Sequence, residues 1–63
     1  MNLVGRTGVF NNEEDGAWGK KYAGKKCTVL DYDDVETQTG LVVRFEDGQV
    51  LVITVEEFTE FVN

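Results

Sequence analysis

The side chains that could do chemistry in this 63-residue chain are carboxylates, lysines and one cysteine. The sequence contains no histidine and no serine, so Ser-His-Asp triads, Cys-His pairs and imidazole metal ligands are impossible. The single cysteine, Cys27, cannot by itself build a zinc or iron-sulfur centre. We therefore expect a protein that is not an enzyme and that carries no cofactor.

The acidic residues around position 33 form the densest group of potential metal ligands. This acidic run consists of Asp31, Asp33, Asp34 and Glu36. It lacks the glycine and the closing glutamate of a calcium-binding loop, so we interpret it as a solvated loop and predict no metal site. Paired carboxylates can also hydrolyse glycosides, but so small a domain rarely supplies the cleft that raises one of their pKa values.

Length and charge limit the choice of partner. Residues 1–63 suffice for one small domain with one core. The net charge of −6 and the pI near 4.3 disfavour phosphate backbones and anionic lipid, and favour basic partners. The sequence has no apolar run of about 20 residues and no basic segment followed by an apolar stretch at its start, so we expect no membrane association. A cytoplasmic location fits these features and the unpaired Cys27.

The elements that must position these groups are β-strands. Apolar patterning predicts strands from Leu3 to Asn11 and from Lys26 to Tyr32, joined by a loop rich in glycine and charge from Asn12 to Lys25. Within the first strand, Gly5 and Gly8 indicate a bend or the close approach of another backbone. Two further strands lie within Leu41 to Val55, so the predicted fold class is all-β.

The Asp47-Gly48 pair predicts a two-residue type I′ turn between the third and fourth strands. This turn sets the cross-strand pairs of the hairpin, which are Phe45 with Val50, Val43 with Val52, and Leu41 with Thr54. We expect these residues to face the core. The opposite face would then be apolar away from the turn, which requires either a curled sheet or a cover over it.

The C-terminal segment allows two structures. Thr54 to Glu57 matches a capping box, which permits a short helix. Alternatively, Val55 to Phe58 forms one 3₁₀ turn, and Thr59 to Val62 adds a fifth strand beside the first. We favour the turn and strand because about eight residues are few for an isolated helix.

Taken together, the segments GKKCTVLDY, TGLVVRFEDGQVLVI and EEFTEFV resemble the SH3-like barrels shared by SH3, Tudor and KOW modules. The resemblance covers nearly the whole chain and rests on strand order and turn positions. It implies a small five-stranded antiparallel barrel with a long first loop and a tight third turn. The sequence has neither the ALYDY-type segment of peptide-binding SH3 domains nor the consecutive aromatics of a Tudor cage. The resemblance therefore implies an architecture and no particular function.

Charge is segregated along the chain, and this suggests a binding surface. Gly16 to Cys27 carries four lysines and no acid, whereas acids dominate the remainder. Our first hypothesis is a protein-interaction module in which an aromatic groove with acidic walls binds a basic protein segment through cation-π contacts and carboxylate pairs. The candidate partner-binding residues are Trp18, Tyr22, Tyr32, Glu13, Glu14, Asp15, Asp33 and Asp34.

Other hypotheses remain open for the same residues. Trp18 and Tyr22 can instead fold down as a lid over one end of the barrel. The acidic surface can mimic nucleic acid and inhibit a host nucleic-acid-binding enzyme. The segment from Lys20 to Lys26 can bind nucleic acid, because aromatics interleaved with lysines stack bases and contact phosphates. The overall negative charge opposes that last hypothesis.

Overall fold

The structure, a computed structural model, describes residues 2–12, 14 and 16–61. Its elements follow in chain order: β1 Thr7–Phe10, α1 Gly16–Tyr22, β2 Lys26–Tyr32, β3 Gly40–Phe45, β4 Val50–Thr54, a 3₁₀ turn Val55–Glu57, and β5 Phe58–Glu60. All the strands belong to one antiparallel sheet with the order β4-β3-β2-β1-β5. This confirms an all-β sheet of five strands, and the order is compatible with an SH3-like fold.

The sheet has two edge strands, β4 and β5. Within the described residues, no backbone pairing joins β4 to β5, so the sheet does not close into a barrel. The 3₁₀ turn bridges the gap, since Val55 N–H donates to Thr39 C=O and Asn11 N–H donates to Glu57 C=O, at 2.9 and 2.8 Å.

One apolar cluster holds the sheet together. Its buried members come from β1, α1, β2, β3, β4 and β5 and are Phe10, Tyr22, Cys27, Val29, Leu41, Val43, Phe45, Ile53 and Phe58. The strands β2 and β3 contribute alternate residues to this cluster, as expected for strands that bury one face. A core of this size leaves the domain dependent on each large side chain.

The prediction for the C-terminal segment is confirmed. A single 3₁₀ turn is followed by β5, which pairs with β1 at Phe10 and Phe58. The predicted fifth strand ran from Thr59 to Val62, whereas β5 spans Phe58–Glu60, and Val62 lies outside the described residues. Glu57 makes the predicted capping contact, because its carboxylate accepts the Thr54 N–H at 2.8 Å.

The first loop was predicted wrongly, because part of it is helical. The helix α1 occupies Gly16–Tyr22, and the first strand is shorter than predicted, at Thr7–Phe10. The ring of Trp18 lies 5.9 Å from that of Tyr22, one helical turn later, and Tyr22 enters the core. Burial of this face outweighs the low helix propensity of a segment with two glycines. Gly24 follows the helix with a φ of 81°, a conformation common where helices end.

The predicted register of the β3–β4 hairpin is wrong by one residue. Phe45 N–H donates to Gln49 C=O, and Gly48 N–H donates to Phe45 C=O, both at 2.9 Å, so the loop has three residues. Within this loop, only Gly48 has a positive φ, of 92°. The carboxylate of Asp47 accepts the Gln49 N–H at 3.0 Å. This geometry is that of a three-residue hairpin loop with a bulged glycine, and not of a type I′ turn.

The one-residue shift exchanges the two faces of β4. Leu41 pairs with Ile53, and Arg44 pairs with Val50. Ile53 is buried, while the side chains of Val50 and Val52 are 45% and 58% exposed, contrary to the predicted core face. The predicted core positions on β3 are nevertheless buried, because their alternation does not depend on the turn.

Candidate functional site

Tyr22 belongs to the core. Its side chain is 4% exposed, and its ring lies 4.3 Å from that of Phe45. Its hydroxyl donates to the carboxylate of Asp47 at 2.6 Å. This hydrogen bond, followed by burial and the Asp47 charge, raises the pKa of Tyr22 to about 12, and the same bond lowers the pKa of Asp47. Tyr22 therefore joins α1 to the hairpin loop and has little surface to offer a partner.

Trp18 lies beside Tyr22 at the same end of the sheet. Its side chain is 43% exposed, and its ring packs at 32° to the ring of Tyr22. Trp18 thus covers one side of Tyr22, and part of its indole ring remains exposed to solvent. This position agrees with the lid hypothesis and leaves part of the indole accessible.

Tyr32 lies at the other end of β2. Six residues separate it from Lys26, which corresponds to about 20 Å along a strand. Its ring packs partly against the core, and its hydroxyl accepts the Leu3 N–H at 3.0 Å. The structure therefore does not bring Tyr32 together with Trp18 and Tyr22, and the predicted groove lined by all three aromatics is not formed.

The acidic residues predicted to bind the partner also lie in two separate regions of the fold. Glu14 is exposed just before α1, whereas Asp33 and Asp34 lie in the loop after β2. Glu13 and Asp15, also predicted as partner-binding residues, lie outside the described residues. Asp34 accepts the backbone N–H of Glu36 at 2.9 Å and so helps to shape its own loop.

Lysines of the segment from Lys20 to Lys26 line a pocket that acidic side chains also line. Lys21 Nζ lies 5.5 Å from the centre of the Tyr22 ring, and Lys26 Nζ lies 3.9 Å from a carboxylate oxygen of Glu46. Asp47 lines the same pocket. Because the Tyr22 ring is buried and these acids oppose phosphate, the geometry weighs against base stacking at this end.

A groove lies at the end of the β3–β4 hairpin that is remote from α1. We call it the acidic groove, and its lining residues are Asp33, Thr39, Gly40, Val52, Ile53, Thr54, Val55, Glu56 and Glu57. The side chain of Asp33 packs directly over Gly40, where a Cβ would lie 2.9 Å from Asp33 Cβ, so only glycine fits at this position. Val52 and the half-buried Val55 give the groove an apolar surface.

The carboxylates of Asp33 and Glu56 are available in this groove. In the described part of the chain, neither has a hydrogen-bonding or ionic partner, and both residues are exposed. Arg44 is the only base in the sequence after Lys26. The loop after β2 and the 3₁₀ turn therefore form a negatively charged end that no neighbouring base neutralises.

Sequence reasoning identified Asp33 but missed Gly40, Val52 and Glu56. Their proximity follows from the pairing of Gly40 with Thr54, which the shifted register had hidden. The capping box was the available signal, because it placed the acids of the 3₁₀ turn directly after β4.

Glu57 has a structural role in the groove. Its carboxylate accepts the Thr54 N–H and the side-chain amide of Asn12, and so ties the 3₁₀ turn to the segment after β1. Partial burial acts to raise the pKa of Glu57, but these hydrogen bonds outweigh it and hold the pKa below its ordinary value of 4.5. The ionised form therefore stabilises the folded state.

We expect this contribution to disappear in acid. A carboxyl whose folded-state pKa is lowered stabilises the protein above its ordinary pKa, and the effect is lost as pH falls through the folded-state value. Glu57→Gln should lower the urea midpoint at pH 7, and its difference from the parent should shrink towards pH 3. A difference that does not change between these pH values would contradict the assigned role.

Within the described residues, the one thiol is buried and the potential metal ligands do not cluster. Burial raises the pKa of the Cys27 thiol to about 11, so the thiolate is scarce at neutral pH. No group of three or more potential ligands for a metal ion occurs within residues 2–12, 14 and 16–61. Over the same residues, no helix is long and apolar enough to cross a membrane.

Comparison with known proteins identifies no relative: no family model matches the chain, and neither do the curated proteins or the solved structures that were compared.

Proposed function

We propose that this protein is a non-catalytic interaction domain that binds a basic segment of another protein in the acidic groove. The observation that carries the proposal is the pair of carboxylates of Asp33 and Glu56, which have no partner among the described residues and line the same groove as the exposed Val52. An arginine or lysine side chain matches this chemistry, because its stem packs on valine and its head binds carboxylates.

The wider charge distribution supports the same partner. Four lysines lie in α1 or between it and the start of β2, while the acidic groove is at the remote end of the hairpin. A basic segment is attracted towards the acidic end and repelled from the lysines, which favours one orientation of approach. The net charge of −6 accelerates the encounter at low salt.

The fold and location are part of the proposal. An SH3-like barrel, closed by side chains and the 3₁₀ turn, fits the strand order and the bridge from Val55 to Thr39. A cytoplasmic location fits a free, buried Cys27. The nucleic-acid mimic and the lysine-segment interface have less support, since the groove combines its acids with the apolar side chains of Val52 and Val55, and the lysines share their pocket with acids.

Removing the two groove carboxylates tests the proposal. The probe is a ten-residue peptide in which arginine alternates with valine, and calorimetry measures its Kd. Asp33→Asn combined with Glu56→Gln should weaken binding about tenfold or more, since charge-assisted hydrogen bonds contribute about 1.5–3 kcal/mol each when well formed. The loss should shrink as salt increases.

The matched control removes the same charge elsewhere. Glu14→Gln combined with Glu46→Gln also removes two negative charges, but near α1 and the hairpin loop. This variant should change Kd less than threefold. Equal losses in the two double variants would show attraction by net charge alone and would remove the acidic groove as the site.

A further inference from the structure

The outer edge of β4 exposes main-chain groups that lack partners. Because Phe45 and Gln49 form a hydrogen-bonded pair, the following hydrogen-bonded pairs are Val43 with Leu51 and Leu41 with Ile53. The intervening residues of β4 turn their N–H and C=O groups away from β3. They are Val50, Val52 and Thr54, whose side chains are also exposed.

The contacts at both ends of β4 agree with this geometry. The Thr54 N–H is bound by the Glu57 carboxylate at 2.8 Å, and the Val50 C=O accepts the Gln49 side-chain amide at 3.1 Å. Neither main-chain group of Val52 has a partner among the described residues. The Thr54 C=O is also bound, because it accepts the first i→i+3 hydrogen bond of the 3₁₀ turn, from the Glu57 N–H. The free edge therefore consists of the Val50 N–H and both main-chain groups of Val52.

The centre of β4 lacks the residues that usually prevent an edge strand from pairing with another chain. The strand VLVIT contains no charge, proline or glycine, and natural edge strands commonly carry such residues against unwanted pairing. The unprotected centre, Val52, is also part of the acidic groove. An added strand would thus lie beside the groove and could place its side chains in it.

We propose that the basic partner segment binds as an added β-strand along the free edge of β4, a mode that rests on the proposed function. Such a strand would form up to three main-chain hydrogen bonds, at Val50 and Val52. Its side chains on the groove face would extend over Thr54 towards Gly40, which is two strand spacings or about 10 Å away. The Asp33 side chain lies over Gly40, because Gly40 has no side chain of its own, and is therefore within reach of a long basic side chain.

Charge complementarity selects the occupant. Alternate residues of an added strand face the groove, so a segment with arginine or lysine at every second position presents its bases to Asp33 and Glu56. A second copy of this chain would instead bring an uncharged β4 to an acidic groove, leaving the carboxylates unpaired.

Selective N-methylation of the probe peptide tests the strand. Two versions of the arginine-valine peptide carry N-methyl groups on alternate residues, one on the even and one on the odd positions. Only one set of N–H groups can point at β4, so one peptide should retain the parent Kd within about threefold and the other should lose tenfold or more. Equal Kd values for the two methylated peptides, whether tight or weak, would overturn strand addition.

The outcomes separate this inference from the proposed function. If the parent peptide binds and the methylated peptides are equivalent, the acidic groove binds bases without an added strand. If no peptide binds, the proposed function itself fails.

Variants of Val52 provide the protein side of the test. Val52→Pro removes an edge N–H that does not pair with β3, and proline is tolerated at such positions. It should weaken peptide binding about tenfold more than Val52→Thr, which alters the same side chain but keeps the N–H, while circular dichroism stays unchanged in both variants. Sedimentation that reveals a dimer of the parent protein, lost in Val52→Pro, would assign the edge to a second copy and contradict the proposal.

Discussion

Gly8→Ala should destabilise the protein by about 3 kcal/mol or more, because the new methyl group has no space. A Cβ at Gly8 would overlap the Thr59 carbonyl oxygen and lie 2.9 Å from Glu60 Cα, both backbone atoms of β5. Relief requires moving β5 away from β1 and opening the contact of Phe58 with the core. A domain of this size has a total stability of about 3–9 kcal/mol, so the substitution should remove about a third of it or more.

Gly5→Ala is the matched control for this substitution. No atom lies within 4 Å of a Cβ at Gly5, and only its φ of 87° opposes alanine. We expect a loss of about 1 kcal/mol there, measured by urea denaturation. Equal stability of the two alanine variants would contradict the close packing of β5 on β1.

Tyr22→Ala should lower the melting temperature by roughly 12–24 °C, the shift expected for loss of a buried aromatic side chain in a domain of this length. The substitution removes the ring packed on Phe45 and detaches α1 from the hairpin loop. Calorimetry or circular dichroism provides the measurement. Trp18→Ala is the comparison, and its smaller shift should reflect a ring that is 43% exposed.

The hydroxyl of Tyr22 adds a pH dependence with a defined sign. Its pKa is raised to about 12, so its stabilising effect is complete below the ordinary value of 10 and is lost as pH rises towards 12. The lowered pKa of Asp47 means that its contribution is lost in acid, as pH falls below the ordinary value of 3.8. Tyr22→Phe should therefore be less sensitive than the parent between pH 10 and 12. Identical alkaline transitions would contradict the Tyr22 to Asp47 bond.

Much of the fold was predictable because it depends on local patterns. The boundaries of β2 match the prediction at both ends, Lys26 and Tyr32, since an apolar strand is bounded there by lysines and by acids. The turn and strand of the tail were predictable because about eight residues are few for an isolated helix, and the capping box, which by itself permitted a helix, caps the 3₁₀ turn. The indication of close backbone approach at Gly8 is likewise confirmed by β5.

The errors arise where a side chain from a distant segment decides the local structure. Asp47 accepts hydrogen bonds from Gln49 and Tyr22, and this favours a three-residue loop over the type I′ turn that Asp-Gly suggests. The helix α1 depends on the same contact with Tyr22. The hydrogen bond between Tyr22 and Asp47 is not visible in a local pattern, because the two residues are 25 positions apart.

The candidate site was only partly predictable for a related reason. The site combines carboxylates with an apolar surface. This chemistry follows from the composition of the chain and from the acidic run that contains Asp33. The location of the site required the register that pairs Gly40 with Thr54 and so brings Glu56 near Asp33. The aromatic groove was an extrapolation from the proximity of two loops, and Tyr22 instead satisfies the core.

Amide chemical-shift mapping of the ¹⁵N-labelled protein with the arginine-valine peptide tests the central claim most directly. The indole N–H of Trp18, the chain's only tryptophan, reports on the α1 end, and the amides of Gly40, Val52 and Glu56 report on the acidic groove. We predict saturable shifts of the groove amides with an unchanged indole signal. A shifted indole signal with unchanged groove amides would contradict the claim and place the partner on the aromatic end.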